Sequence, residues 1–396
     1  MKVLFLTHSF PRKEGDAAGS FVLRLAVALR AEDVDVHVVA PAAAGVPASE
    51  EIEGIRVDRF RYAPRRYEKL AYTGNMAGDF ASSWSAKLAM VGFLGSDFVH
   101  AVRARRSFEP DVVHAHWWFP NGVVGTWLGS LSHIPVVTTL HGTDVTLVGV
   151  DPSYLPITRF SIEQSHGVTA ISHHLKAATV AMFGVGTEIR VIHNSVNCDL
   201  YRPRPDIRVR QEYAPTGEKI LIHLSNFRPV KRILDCVRVL AKVNAEVPSR
   251  LLMVGDGPDR GPAEALAREL HLEDRVLFLG KQLRVSDLLP AADVLLLPSQ
   301  MESFGLAALE AMACGVPPIA SRVGGVPEVV THGADGFLLP VGDTDAMAEA
   351  ALSVLGDPAA HGRMAAAARH TAETRFHTEK IIPQYESYYR EVCGTG

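Results

Sequence analysis

The sequence predicts an α/β protein built from two doubly wound halves, on three observations. Short apolar runs alternate with longer amphipathic stretches along the whole chain, the pattern of βαβ units around parallel sheets. The alternation starts afresh at Lys219-Ile-Leu-Ile-His-Leu-Ser225, after an irregular stretch over residues 197–217 that carries Pro203, Pro205 and Pro215. Loops that follow apolar runs gather the glycine, charge and histidine, and that edge is where open parallel sheets bind ligands.

In the first half, strands are expected near 2–7, 34–39, 54–60, 111–115, 135–140, 167–171 and 188–192. Helices fill 18–31, 83–107, 120–131, 156–166 and 172–183. The second half repeats the plan with strands near 219–225, 250–254, 275–279, 293–297, 316–321 and 335–339. Its helices are expected near 230–246, 259–270, 303–313, 343–355 and 359–373. The last segment, Thr378–Val392, is amphipathic with Tyr385, Tyr388 and Tyr389 on it, a helix suited to packing back on the first domain. The domain reading is 1–196, 197–376 and a C-terminal helix over 377–396, the two wound domains facing each other across a cleft.

A formal net charge of -4 gives no bulk attraction for nucleic acid. Cys198, Cys236, Cys314 and Cys393 form no C-x-x-C pair, which fits a reducing compartment better than a disulfide framework or a zinc ribbon. Met1–Thr7 reads as a first strand rather than a leader, and no apolar run reaches membrane-spanning length. A cytoplasmic location is expected.

The stretch Glu302-Ser-Phe-Gly-Leu-Ala-Ala-Leu-Glu310 sets one carboxylate before a helix and a second inside it. A helix start offers unpaired N–H groups and a positive dipole end, which suit a diphosphate. The flanking carboxylates suit sugar hydroxyls. The alternative is an amphipathic helix with an exposed Glu at its start. Its surroundings favour the first reading: Asp293–Pro298 reads as a buried strand, Gly315 closes the helix, and Val316–Ser321 begins the next strand.

Ser225-Asn-Phe-Arg228-Pro-Val-Lys231-Arg232 follows the first strand of the second half, where Arg228 and Lys231 suit a departing diphosphate. Thr138-Thr-Leu-His141-Gly-Thr-Asp144 follows a strand of the first half, and His141 there suits a sugar or acceptor hydroxyl. In Asp111-Val-Val-His114-Ala-His116-Trp117-Trp118 two histidines share one side of a strand. Without further ligands of plausible source they point to an acceptor pocket or a stabilised core rather than a metal. Three glycine loops, Gly15–Ser20, Gly255-Asp-Gly257 and Gly324-Gly325, either approach a ligand or make tight turns. None is G-x-G-x-x-G, so a dinucleotide cofactor is not indicated. The run Arg59–Lys69 mixes basic and aromatic residues and reads as a solvated face, an anionic-acceptor contact or a membrane contact.

Together these motifs resemble family 4 retaining glycosyltransferases of the GT-B fold, over nearly the whole chain. The resemblance implies that Glu310 binds the ribose, Glu302 and the backbone after it the donor sugar, Arg228 and Lys231 the diphosphate, and that Gly19 approaches the phosphates. It implies a donor site of Gly19, Asn226, Arg228, Lys231, Gly255, Glu302, Ser303, Phe304, Gly305, Leu306 and Glu310. Catalysis would rest on His141, Arg228, Lys231 and Glu302, with His116, Trp117 and Asp144 toward the acceptor. From about Ile134 onward the chain is more similar to the branch of bacillithiol synthesis, which moves GlcNAc from UDP-GlcNAc to L-malate. The first hundred residues depart from that branch, and residues 59–72 are more like relatives acting on lipid or polysaccharide acceptors. Open alternatives are another UDP- or GDP-sugar, a GT-B relative with epimerase or phosphorylase chemistry, and a sugar-nucleotide-binding protein without catalysis. No cofactor or metal is expected. A homodimer and a peripheral membrane contact remain open.

Overall fold

The computed structural model describes all residues except 14, 17, 73–83, 146–150, 205–206 and 395–396. Ala17 of the first glycine loop, Ser83, Thr146 and Pro205 therefore lie outside the described residues. The chain divides into two compact units, Met1–His193 with Ile381–Gly396, and Asn194–Lys380.

The first unit is wound on a sheet of β1 (Lys2–Leu6), β2 (Asp35–Pro41), β3 (Ser49–Ile52), β4 (Ile55–Phe60), β5 (Val112–His116), β6 (Val136–Leu140), β7 (Gly167–Ala170) and β8 (Ile189–Val191). Strand order is β3-β4-β2-β1-β5-β6-β7-β8. Pairing is parallel except for β3, which runs antiparallel to β4 at one edge. Helices α1 (Ser20–Ala31), α2 (Trp84–Phe108), α3 (Val123–Ser132), α4 (Leu155–Glu163) and α5 (His173–Phe183) connect the strands. Val3–Leu6 and Val112–His116 are buried throughout, as expected of central parallel strands covered on both faces.

The second unit holds β9 (Lys219–Ser225), β10 (Ser249–Gly255), β11 (Val276–Gly280), β12 (Val294–Leu297), β13 (Pro318–Ser321) and β14 (Phe337–Leu339), in the order β11-β10-β9-β12-β13-β14, all parallel. Its helices are α6 (Ile207–Tyr213), α7 (Ile233–Asn244), α8 (Arg260–Glu269), α9 (Val285–Leu288), α10 (Leu306–Ala313), α11 (Val326–Val329), α12 (Thr344–Leu355) and α13 (Pro358–Thr371). Helix α7 buries Ile233, Cys236, Val237, Leu240 and Val243, one stripe at helical spacing, in a core shared with Leu221 and Leu251. Each such side chain contributes about 1.5–3 kcal/mol, and the stripe fixes where the loop before it must lie.

A final helix, α14 (Thr378–Val392), puts Ile381, Ile382, Tyr385, Tyr388 and Tyr389 into the core of the first unit. Several local features escaped the sequence pattern, among them the short helices α9 and α11. Strand β3 is Ser-Glu-Glu-Ile, too polar to stand out. Helix α6 falls within the irregular break. Helix α10 begins at Leu306 rather than 303, because Gly305 is left-handed (φ 99°) and Ser303–Gly305 belong to the loop.

Candidate active site

In the second unit the strand order reverses between β9 and β12: β10 lies on one side of β9 and β12 on the other. In open parallel sheets the carboxyl ends at such a point are where ligands bind. The β9 loop carries Arg228 and Lys231, and the β12 loop carries Glu302. Lys231 Nζ donates to Glu302 Oε1 at 2.6 Å, and Ser299 Oγ donates to the same oxygen at 2.8 Å. The backbones are tied as well, Gln300 N to Val230 O at 2.8 Å. Both charged side chains are largely enclosed, at 18% exposure for Lys231 and 13% for Glu302.

The β9 loop is held from below by His223. Its Nδ1 lies 2.8 Å from the Leu296 carbonyl, which can only accept, so Nδ1 carries the proton. Its Nε2 then accepts the Ser225 hydroxyl at 2.8 Å, and Ser225 Oγ takes the Phe227 N–H at 3.2 Å. Burial pushes His223 down to about 4, so the ring is neutral and this tautomer stable. The loop then turns through Pro229–Lys231, with Lys231 N bonded to Arg228 O at 2.8 Å. Arg228 is half-buried at the start of that turn, and Asn226 is exposed.

Two glycine loops brace this pair. A Cβ on Gly255 (φ 130°) would fall 1.8 Å from Ser225 O, and one on Gly324 (φ 56°) 1.7 Å from Glu302 O. Both are close approaches of backbone to backbone that only glycine permits. Gly325 N donates to Glu302 O at 3.1 Å. Beyond Glu302, Ser303 is half-buried, Phe304 is buried edge-on against Phe376 with centroids 5.7 Å apart, and Gly305 caps α10. Leu306 opens the helix, and Glu310 is half-buried in its second turn. The structure therefore brings together Lys231, Glu302 and Ser299. Ser299 and His223 escaped sequence reading, though both sit beside strand ends already flagged.

In the first unit the strand order reverses between β1 and β5. There His8, two residues past β1, meets Asn121 at 3.2 Å, and Asn121 Nδ2 donates to Asp97 at 3.0 Å. His141, after β6, lies 3.1 Å by Nε2 from His116 Nδ1. Its ring is flanked by Trp117 (centroids 4.6 Å) and Phe21 of α1 (5.0 Å). Burial, then the neighbouring His114 and His8, hold His141 well below the usual histidine range, so it is neutral at pH 7. Gly19 precedes α1 with φ 66°, packed on the Ser9 carbonyl.

The other first-unit candidates face inward. His116 is fully buried and Trp117 nearly so, with Trp117 Nε1 bonded to Thr143 Oγ1 at 3.1 Å. Asp144 Oδ1 accepts the N–H groups of His141, Gly142 and Val145 at 3.2, 2.7 and 3.1 Å, and Oδ2 that of Trp118 at 3.4 Å. Burial raises Asp144 to about 6 despite these donors. Its geometry is that of a clamp on the His141 loop. His114 is bonded to Tyr389 and Thr139, at 2.7 and 2.6 Å.

A helix start flanked by carboxylates, beside a cation at a topological switch point, is a setting suited to an anionic, hydroxyl-bearing ligand. The model of group 1 glycosyl transferases matches residues 206–371, and that of glycosyltransferase family 4 matches residues 18–200. The chain belongs to this family of GT-B glycosyltransferases.

It is 46% identical over 285 residues to the N-acetyl-alpha-D-glucosaminyl L-malate synthase of Bacillus anthracis, covering 71% of this chain and 75% of that one. It is 29% identical to the D-inositol 3-phosphate glycosyltransferase of Mycolicibacterium smegmatis, over 91% of this chain and 83% of that one. Among solved structures, sucrose-phosphate synthase from Thermosynechococcus elongatus superposes with a TM-score of 0.82 at 25% identity over the whole of both chains. Anabaena HepE, solved with UDP and glucose, gives 0.77 at 24% identity over 98% of this chain and 99% of that one.

Proposed function

We propose that the protein is a retaining, metal-independent glycosyltransferase that takes GlcNAc from UDP-GlcNAc and passes it to a small hydroxy acid of the L-malate type. The Lys231–Glu302 contact carries the donor half of this reading. It sets a cation and a carboxylate side by side at the mouth of α10, where a diphosphate and a sugar hydroxyl can each find a partner. The 46% identity with a GlcNAc-malate synthase supports the sugar and the acceptor.

The chemistry is a front-face displacement. The acceptor oxygen bonds to the anomeric carbon on the face from which the diphosphate departs. The C–O bond to the phosphate breaks with its electron pair, and the acceptor proton moves to a phosphate oxygen. Arg228 and Lys231 stabilise the charge gathered on the leaving group, and Glu302 orients the sugar. Glu310 binds the ribose hydroxyls, and His141 donates to a substrate hydroxyl. The counter-charge comes from side chains and the helix start, so turnover persists in excess EDTA.

Thermal shift with UDP-GlcNAc, UDP-glucose and GDP-mannose, followed by mass spectrometry of products with L-malate, tests the reading. A UDP-GlcNAc shift and a GlcNAc-malate product support it. A shift without malate product removes the acceptor assignment and moves the search to lipid and polysaccharide acceptors, which residues 59–72 favour. Metal-dependent turnover contradicts the metal-free mechanism.

A further inference from the structure

Helix α2 turns an apolar face to solvent. Trp84, Leu88 and Val91 are 80%, 73% and 69% exposed, and Val99 is 45% exposed. Gly95 lies between them with nothing near the place of its missing side chain. Steps of four, three, four and four residues keep all five in one stripe along the helix. Across the stripe's one flank, Phe98 meets Trp127 of α3 edge-on with centroids 6.3 Å apart, and this extends the patch to Trp127 (40% exposed) and Leu131 (63%).

Along the other flank runs the basic, aromatic segment that follows β4. Ser96 Oγ donates to Arg61 O at 2.7 Å, and Gly92 leaves only enough room for the Tyr62 carbonyl. Arg61, Arg65, Arg66, Tyr67 and Lys69 are exposed there. Residues 61–72 and 84–106 together hold eight Arg or Lys against two acids, in a chain whose formal net charge is -4. The two acids are spent internally: Glu68 accepts the Tyr62 N–H, and buried Asp97 accepts from Asn121. Glu68 also lies 3.6 Å from Arg61, and exposed Glu109 follows the end of the helix, so among the described residues the exposed charge beside the stripe is predominantly basic.

We propose that this surface docks on an anionic phospholipid bilayer, with the α2 stripe lying in the interface and the flanking arginines and lysines at the headgroups. The sign of the rim selects this occupant. A second copy joined through the same patch would bring like charges together along its edges, whereas anionic headgroups complement them. Among the described residues no helix is long and apolar enough to cross a membrane, so the attachment is peripheral. The surface uses no residue assigned to the donor, so its failure leaves sugar transfer untouched.

Co-sedimentation with phosphatidylcholine vesicles, plain or containing about a third phosphatidylglycerol, tests the proposal. The protein pellets with the anionic vesicles at low salt, less so at high salt, and not with neutral ones. Leu88→Glu with Val91→Glu abolishes pelleting, and Arg65→Gln with Arg66→Gln lowers partitioning roughly 30-fold. UDP still raises the melting temperature of every variant by the wild-type amount, which shows that each is folded. The proposal is overturned if wild type ignores anionic vesicles or if the variants bind as wild type does. It is equally overturned if wild type forms a dimer that Leu88→Glu dissolves while no vesicle binding is seen.

Discussion

Lys231 Nζ and Glu302 Oε1 meet at 2.6 Å although 71 residues separate them in the chain. Two adjacent strands, β9 and β12, deliver them, and the Val230–Gln300 backbone bond locks the loops in register. Lys231→Ala removes a charge that acts on the leaving diphosphate. It is expected to lower kcat by 10²-fold or more, roughly 3 kcal/mol of barrier. Glu302→Gln keeps the shape and removes the carboxylate, so kcat/KM for the donor falls with a smaller change in melting temperature. Steady-state kinetics with varied donor checks both, and a wild-type kcat in Lys231→Ala contradicts the assignment.

Gly324 is a spacer for the acid loop. Alanine there meets the Glu302 carbonyl at 1.7 Å in a backbone conformation that L side chains avoid. Gly324→Ala is expected to destabilise by about 1–3 kcal/mol and to raise the donor KM by displacing Glu302. Calorimetry and kinetics check this together. Gly333→Ala, also at positive φ but with nothing near its Cβ, serves as the control for strain alone.

The last helix is a structural member of the first unit. Tyr389 hydrogen-bonds buried His114 at 2.7 Å, and Arg190 grips Glu391 with two bonds of 2.8 and 2.9 Å. Tyr389→Phe leaves His114 Nδ1 without its partner, at a cost of about 1–3 kcal/mol. Deleting residues 381–396 uncovers the core that Ile381, Ile382 and Tyr385 fill and is expected to unfold the first unit. Near-UV circular dichroism and chemical denaturation read both effects.

Acid should destabilise the fold well above the carboxylate range. Burial lowers His114 to about 3 and His223 to about 4. Below pH 6.5 the unfolded chain binds protons at these rings that the native state does not, so stability falls as pH drops from 6.5 toward 4. Each ring accounts for about 2 kcal/mol by pH 5. Asp144, raised to about 6, works in the opposite sense, because its native form takes up a proton first between pH 6 and 3.8. Buried Asp97, raised well above the usual carboxylate range, works in the same sense as Asp144. His8, lowered to about 4, and His116 and His141, held well below the usual histidine range, add to the fall, so the buried rings outweigh the two carboxyls. Melting temperature against pH checks the sign, and a flat profile from 7 to 5 contradicts it.

Most of the fold is legible in the sequence because periodicity and punctuation agree. Thr378–Val392, for example, is bounded in the structure as its pattern predicts. The helix start at Leu306 is not, since the left-handed turn at Gly305 is invisible to apolar spacing. Glu302 and Lys231 are legible as chemistry at strand ends, but their contact depends on strand order, which no local pattern encodes. His116, at the end of β5, and Asp144, in the loop after β6, are buried polar residues whose side chains bond to the His141 loop. Ser299 and His223 went unread because a hydroxyl and a ring that support a loop look like any others until their partners are known.

Isothermal titration of UDP into wild type and into the Arg228→Ala, Lys231→Ala double variant tests most directly whether these cations hold the donor diphosphate. The account predicts that wild type binds UDP and that the double variant, still folded by circular dichroism, binds at least 10²-fold more weakly, consistent with two lost charge-assisted bonds of about 1.5–3 kcal/mol each. An unchanged dissociation constant in the folded double variant would contradict it.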